Sequence, residues 1–258
     1  MIKSKYTLQN FLILSLIIAL SLLTAITFGG NSIITTSLLN TKFDKTFNDI
    51  YQPVLDSTIR ARGKGYKTIL FLAEKHADRT KKPILIVETG SIRDRELSMA
   101  DDGASTFIFS HFAKEKNGWV YTVDLDPKAK FIITNDLKLP NVKAFTQDSI
   151  SFLKSFPNPQ DISILYLDSY DVNFLFPEPA ALHHLNEIKQ IFDKLNPGTI
   201  IIVDDNLIVN GKPTGKGYMV EAFLKQNGVP LIYDGYQKVF QIKPFKKDLD
   251  ELQNILKA

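Results

Sequence analysis

Ile84–Thr106 reads ILIVETGSIRDRELSMADDGAST, and the fold is decided there. The stretch opens on an unbroken apolar run, Ile84-Leu85-Ile86-Val87, dominated by β-branched residues and ended by Glu88 and Gly90. A strand buried on both faces of a parallel sheet reads this way, because it has no solvent face to alternate with. A loop follows. Gly103-Ala104-Ser105-Thr106 then opens a second apolar pattern, Phe107, Ile108, Phe109 and Phe112, at helical spacing. Strand, glycine-bearing loop and helix N-terminus together suit a nucleotide-like ligand. Glycine lets the backbone approach closely, and free N–H groups at the helix start face the ligand.

Downstream, strands and helices alternate. Strand 1 is Ile84–Glu88, followed by a helix over about Ser105–Lys116 and strand 2 at Trp119–Asp124. A short strand 3 lies around Val142–Phe145, with a helix starting near Asp148. Strand 4 is Ile162–Asp168, and a long helix runs over about Pro179–Leu195 until Pro197-Gly198 ends it. Strand 5 is Thr199–Asp204, with a helix over about Gly217–Gln226. The last strands, Leu231–Tyr233 and Lys238–Ile242, flank Asp234-Gly235, a hairpin turn signal. A polar helix, Lys246–Lys257, closes the chain. Such alternation predicts an α/β fold, a doubly wound, Rossmann-like parallel sheet with an antiparallel strand from the closing hairpin.

Upstream of this region, Asn31–Lys42 is a Ser/Thr-rich linker, and Phe43–Ala77 reads as one or two helices packed on the edge of the domain. Arg60-Ala61-Arg62-Gly63-Lys64-Gly65 breaks them. This basic patch could meet a phosphate or an anionic lipid surface, or be a solvated loop. Phe11–Phe28 is uncharged and rich in Leu and Ile, near the short end of the roughly 17–25 residues that cross a bilayer. With Lys3 and Lys5 before it, the segment reads as a signal anchor, against a cleaved signal peptide or a core helix. The expected organisation is therefore a membrane anchor over 1–30, a linker and N-terminal helices over 31–80, the catalytic domain over 81–245 and a C-terminal helix over 246–258. The expected location is the membrane, as a single-pass protein, with the side of the domain left open.

Composition narrows the function. Of 258 residues, 44% are hydrophobic and 23% charged, the balance of a globular domain. The formal net charge is only +3, without a Lys/Arg run long enough for a nucleic-acid footprint. The chain has no cysteine, which excludes disulfides and thiolate metal sites.

Four strands end in acids: Glu88, Asp124, Asp168 and Asp204-Asp205. Ligands of open α/β sheets bind outside the carboxyl ends of the strands, so these acids would line one rim. Strand ends are also where polar residues first reach water, so one such acid means little and four carry weight. Asp124, about 20 residues past Gly103, could accept hydrogen bonds from both ribose hydroxyls. Asp148 could cap the next helix or contact an adenine amino group. His183 and His184 are adjacent on a helix, about 100° apart, so at most one faces the site. His183 could act as a general base, or both could pack. Lys216, in Gly215-Lys216-Gly217, could meet an anionic substrate group or be a solvated loop lysine. His111 reads as packing.

Taken in order, VETGSIR, GAST, TVDLDP, QDSISFL, LYLDSYD, PGTIIIVDDN and GKG resemble the class I S-adenosylmethionine-dependent methyltransferases over roughly Lys82–Ile242. They are closest to the bacterial branch similar to catechol-type O-methyltransferases. The resemblance implies seven strands in the order 3-2-1-4-5-7-6, with strand 7 antiparallel. It places Glu88, Thr89, Gly90 and Ser91 in the first glycine loop, and Gly103 and Ser105 at its end and the helix start. Ile92–Asp102 is an insertion that could act as a lid. Asp124 matches the ribose-binding acid, and Asp148 and Ser149 the adenine-side pair. The resemblance also implies a magnesium site at Asp168, Asp205 and Asn206, with oxygen ligands that suit a hard cation. The family's lysine base is replaced here by Asp171, which could be a base or a further ligand. Catalytic candidates are thus Asp168, Asp171 and His183.

The expected activity is methyl transfer from S-adenosylmethionine to a hydroxyl of a small molecule or glycan, with Mg2+ as a candidate second cofactor and no nucleic-acid partner. Two alternatives remain: a binding or scaffold protein with a degenerate cofactor pocket, and a different nucleotide-cofactor enzyme on the same fold. Against the latter, strand 1 is not followed directly by G-x-G-x-x-G.

Overall fold

Leu85–Thr89 forms β1, parallel to β2 (Trp119–Asp124) on one side and to β4 (Ile164–Leu167) on the other. β3 (Val142–Thr146) extends the sheet beyond β2, and β5 (Ile200–Val203) beyond β4. Every residue of β4 and β5 is buried, which is why ILYL and IIIV carry no polar alternation. The chain described here is a computed structural model covering residues 42–56, 62–93, 104–209 and 211–257, all within one unit, Asn40–Ala258.

After β5 the chain forms a two-stranded hairpin, β6 (Asn206–Val209) and β7 (Lys212–Gly215), that the sequence reading missed. The closing strands are β8 (Leu231–Asp234) and β9 (Lys238–Gln241). β9 is antiparallel to both β5 and β8. The main sheet runs β3-β2-β1-β4-β5-β9-β8, the order implied for seven strands once the extra hairpin is set aside.

Helices cover both faces. A helical segment starts with α1 (Lys42–Thr46), passes through a π-turn at Phe47–Tyr51 and ends with α2 (Gln52–Asp56). The longest helix, α3 (Gly63–Thr80), follows, then α4 (Ala104–Glu115). Ile69, Leu70, Phe71 and Phe109 from these helices pack on Ile86, Ile164, Tyr166 and Ile202 of the sheet. The C-terminal helix α9 (Lys246–Lys257) joins them through Leu252 and Ile255. On the other face lie α6 (Ser149–Ser155), α7 (Glu178–Ile191) and α8 (Tyr218–Gln226). Their Phe152, Ile188, Ile191, Val220 and Leu224 pack on Val87, Val123, Leu165, Ile201 and Val203. A short α5 (Pro127–Phe131), capped by Asp126, follows β2.

Two expectations are corrected. No helix among the described residues is long and apolar enough to cross a membrane, which removes the transmembrane helix from the fold class and the membrane location with it. Phe11–Phe28, on which both rested, lies outside the described residues. So does most of the Ile92–Asp102 insertion.

Between β1 and β4 the direction of winding reverses, and a crevice opens outside the strand ends. Gly90 sits at this point with φ +82°, where a side chain would place its Cβ 2.5 Å from the backbone oxygen of Asp168. Only glycine satisfies both demands. Gly90→Ala is therefore expected to destabilise the fold by about 3 kcal/mol, read as a lower urea midpoint with an unchanged slope. A midpoint within error of the parent would contradict this packing.

Candidate functional site

A cavity of about 160 Å3 lies at the crevice, lined by Gly90, Asp124, Asp148, Ser149 and the loop Ser169–Asp171 after β4, with His183 of α7. Val123, Leu125 and Gln147, which the sequence reading did not single out, complete its floor and mouth. Leu125 is 72% exposed, an apolar side chain held in water beside the cavity. The signal for it was position alone, one residue beyond the acid that ends β2.

Backbone N–H groups order the acids here. Asp124 Oδ2 accepts from Ser91 N at 3.0 Å and Oδ1 from Asp126 N at 2.9 Å. Gly90 N donates to Val123 O at 2.9 Å, tying the turn after β1 to β2. Asp148 caps α6, accepting from Ser151 N at 2.8 Å. The capping half of its sequence reading is thus met, and the residue still lines the cavity.

His183 is the histidine that faces the site. Its Nε2 lies 3.0 Å from Ser149 Oγ and 3.5 Å from Glu187 Oε1, and its ring rests on Tyr170. His184 is buried, bonded through Nδ1 to Ala180 O at 2.7 Å, and burial pushes it down to about 4. Burial pushes Glu187 up, but His184, His183, Ser149 and Ser169 outweigh it and hold the carboxyl at about 2. Asp171 makes a two-pronged pair with Arg93 at 2.9 and 3.1 Å, which holds its carboxyl below the ordinary range. A carboxylate held down in this way is a poor base.

Beside the cavity, the ends of β4 and β5 carry Asp168, Asp204 and Asp205. Lys216 reaches them from the end of β7. Its Nζ lies 2.7 Å from Asp168 Oδ1 and 2.9 Å from Asp205 Oδ2, and its side chain is 2% exposed. The lysine is thus neither a solvated loop residue nor free for a substrate anion. Arg62, read as part of a basic loop, is buried with its guanidinium 3.2 Å from Asp204 Oδ2. Burial pushes the Asp168 carboxyl up, Lys216 pulls it down, and Asp204 and Asp205 push it up again, to about 7. Its side chain is 25% exposed. Lys216 engages Oδ1, and no described residue bonds Oδ2.

The expected magnesium ligands do not fit a divalent cation as they stand. Asp168 and Asp205 share the Lys216 ammonium. Asn206 spends its amide: Nδ2 donates to Val203 O at 2.8 Å and Oδ1 accepts from Gly217 N at 2.8 Å. Among the described residues, no group of three or more His, Asp or Glu is arranged to hold a metal ion.

The fold thus gathers Gly90, Asp124, Asp148, Ser149, Asp171 and His183 around one cavity; Asp168 directly precedes the lining Ser169 but is not itself part of the lining. Glu88 and Thr89 are fully buried, and Ser105 lies buried on α4. Ser91 is buried too, its hydroxyl bonded to Thr122. Gly103 lies outside the described residues.

Residues 100–206 match a family model described as a methyltransferase domain, and the main sheet has the strand order implied for the class I fold. Over residues 100–206, less than half of its length, the chain is thus similar to the methyltransferase-domain family. Among solved structures, the methyltransferase domain is similar to a putative O-methyltransferase from Klebsiella pneumoniae. That match has 16% identity and a TM-score of 0.44, over 92% of this chain and 96% of that one. A second is the calicheamicin-biosynthesis enzyme CalS11, a TDP-rhamnose 3'-O-methyltransferase. It has 15% identity and a TM-score of 0.46, over 83% of this chain and 96% of that one. A third is the mycinamycin-pathway methyltransferase MycE, solved with Mg and SAH. It has 13% identity and a TM-score of 0.43 over 66% of this chain, which spans 49% of MycE's length. No curated protein matches the sequence.

Glu88 gives the domain a pH signature. Burial pushes its carboxyl from 4.5 up to about 7, against hydrogen bonds from Thr106, Ser105 and Thr122. Between those values the folded protein holds a proton that the unfolded chain has released, so stability falls as pH rises through the window, by about 3 kcal/mol in all. Glu88→Gln is expected to flatten that slope in denaturant titrations between pH 4.5 and pH 7. An unchanged slope would show that Glu88 ionises freely.

Proposed function

We propose that this chain transfers the methyl group of S-adenosylmethionine to a hydroxyl of a small molecule or glycan. One observation carries the reading: the cavity at the winding reversal is lined by Gly90, Asp124 and Asp148, and the carboxyl of Asp168, one residue before the lining Ser169, is pushed up to about 7.

In this reading Asp124 accepts from the ribose hydroxyls, its lone pairs aimed by Ser91 N and Asp126 N. Gly90, and beside it Thr89 and Ser91, let the backbone come close to the methionine part. Asp148 and Ser149 hold the adenine edge at the start of α6, and Leu125 covers its face. Glu88 acts from below, fixing the turn and α4 through Thr106 at 2.7 Å. When bound, the cofactor supplies an electrophilic methyl group on a sulfonium.

A hydroxyl is a weak nucleophile until its proton is taken, which makes a base near pH 7 the residue to look for. Asp168 meets that need: Oδ2 faces solvent while Lys216 grips Oδ1. It would take the acceptor's proton, leaving the oxygen free to accept the methyl group that the bound cofactor would supply as its sulfonium becomes a thioether. Asp171 and Arg93 bridge the loops after β1 and β4 at the cavity rim, where they position rather than deprotonate. His183 braces Ser149 and Tyr170 in the same way.

The test is calorimetric titration of the full chain with S-adenosylmethionine, then release of S-adenosylhomocysteine over a panel of hydroxyl acceptors. Asp124→Ala is expected to weaken cofactor binding by about tenfold or more, the loss of hydrogen bonds to a charged group. Absence of binding by the folded parent would overturn the reading and leave a degenerate pocket. Asp168→Asn is expected to keep cofactor affinity and lower kcat by about 10²–10⁴. In the parent, kcat should rise with pH through about 7 as Asp168 loses its proton, and that rise should vanish in the variant.

A further inference from the structure

The acidic cluster at the ends of β4 and β5 is already filled by a cation of the chain's own. Lys216 Nζ touches Asp168 Oδ1 at 2.7 Å, Asp205 Oδ2 at 2.9 Å and the backbone oxygen of Asp168 at 3.2 Å. An ammonium has three N–H groups, and these three oxygens use them all. Two carboxylates and a carbonyl from adjacent strand ends are the ligands a hard divalent ion takes.

The backbone is shaped to deliver the lysine there. Gly215 has φ +114°, and a Cβ on it would lie 2.1 Å from Asp205 O; one on Gly217 would lie 2.5 Å from Asn206 Oδ1. Both glycines let the chain lie flat against the link from β5 to β6. Lys216 N donates to Asp205 O at 3.1 Å, and Gly217 N to Asn206 Oδ1 at 2.8 Å. The amide that a metal would need from Asn206 is therefore spent on holding the lysine's loop. Arg62 supplies a second cation, 3.2 Å from Asp204 Oδ2 and 3.5 Å from Asp205 Oδ1, where the Tyr236 hydroxyl also donates. Three carboxylates thus face two fixed cations. A divalent ion at Asp168 and Asp205 would have to displace one of them.

We infer that Lys216 is a tethered cation standing in the place of a divalent metal between Asp168 and Asp205, so that this chain orders the two carboxylates without a metal. Lys216 is a positioning residue: it holds Asp168 by one oxygen and leaves the other open. The inference stands on the geometry at the strand ends. It would survive failure of the proposed acceptor chemistry, because its test reads metal binding and not turnover.

The test is titration of the full chain with Mn2+, read by electron paramagnetic resonance. The parent is expected to hold no Mn2+ up to about 1 mM. Lys216→Ala should gain one site, at least about tenfold tighter than that limit, and Lys216→Ala with Asp168→Asn should lose it again. A merely structural lysine would give no such gain. The inference is overturned if the parent binds one Mn2+ that Asp168→Asn removes, or if folded Lys216→Ala binds none. Should Lys216→Ala fail to fold by circular dichroism, Lys216→Gln takes its place in the same titration, with the same two outcomes.

Discussion

The buried charge cluster at the ends of β4 and β5 is the constraint on which the rest of the rim depends. Taking an ammonium, a guanidinium and three carboxylates out of water costs several kcal/mol per ion, and only close pairing offsets it. Here the pairing is close: Lys216 is shared by Asp168 and Asp205, and Arg62 lies on Asp204. Asp204 also accepts from Tyr166 at 2.6 Å, and Tyr166 in turn accepts from Gln237 at 3.0 Å. Each partner comes from a different part of the chain. The cluster therefore pins Arg62 at the start of α3, the ends of two central strands, the β6–β7 hairpin and the β8–β9 turn to one another. Removing any one member leaves a buried charge without its partner, which is why the cluster forms as a unit.

Much of this was readable from the sequence, and the rest failed for identifiable reasons. The strands ILIV, ILYL and IIIV announce themselves because central parallel strands must be apolar on both faces. The strand-end acids Glu88, Asp124, Asp168 and Asp204-Asp205 were expected along one rim; of these Asp124 lines the cavity and Glu88 is fully buried. The β6–β7 hairpin escaped because its strands hold Lys212, Pro213 and Gly215 and lack a buried face, although Asn210-Gly211 is a turn signal. Lys216 and Arg62 escaped for a different reason. A lysine between two glycines and an arginine in a basic run both look solvated. What buries them is a set of carboxylates brought in by other strands, and local pattern does not contain that information. Glu88 was expected beside the cofactor and is fully buried, because its register opposite Thr122 and Tyr166 points it into the face covered by α3 and α4.

The two sides of the rim are built on opposite principles. Around Asp124 and Asp148 the acids are partly exposed and held by backbone N–H groups, with Leu125 left in water. Such a wall can exchange its hydrogen bonds with a ligand at little cost, since water already competes for them. Around Asp168 the groups are charged, mostly buried and paired with one another. Their geometry is set before any ligand arrives, and it costs nothing further when charge shifts beside it, which is the condition for electrostatic preorganisation.

The three carboxylates of the cluster are not shifted alike: burial pushes Asp168 and Asp204 up, while Asp205 is held down. Asp205 shares Lys216 and Tyr236, and these outweigh burial and hold it below the ordinary carboxylate range. Asp168 shares the same lysine, but there burial and the charges of Asp204 and Asp205 outweigh it, so its balance falls near neutrality. A divalent ion in the lysine's position would pull both carboxylates down together, because a double charge dominates every local term. A single tethered charge divides unequally between them. The lysine thus keeps the cluster assembled while gripping only one oxygen of Asp168.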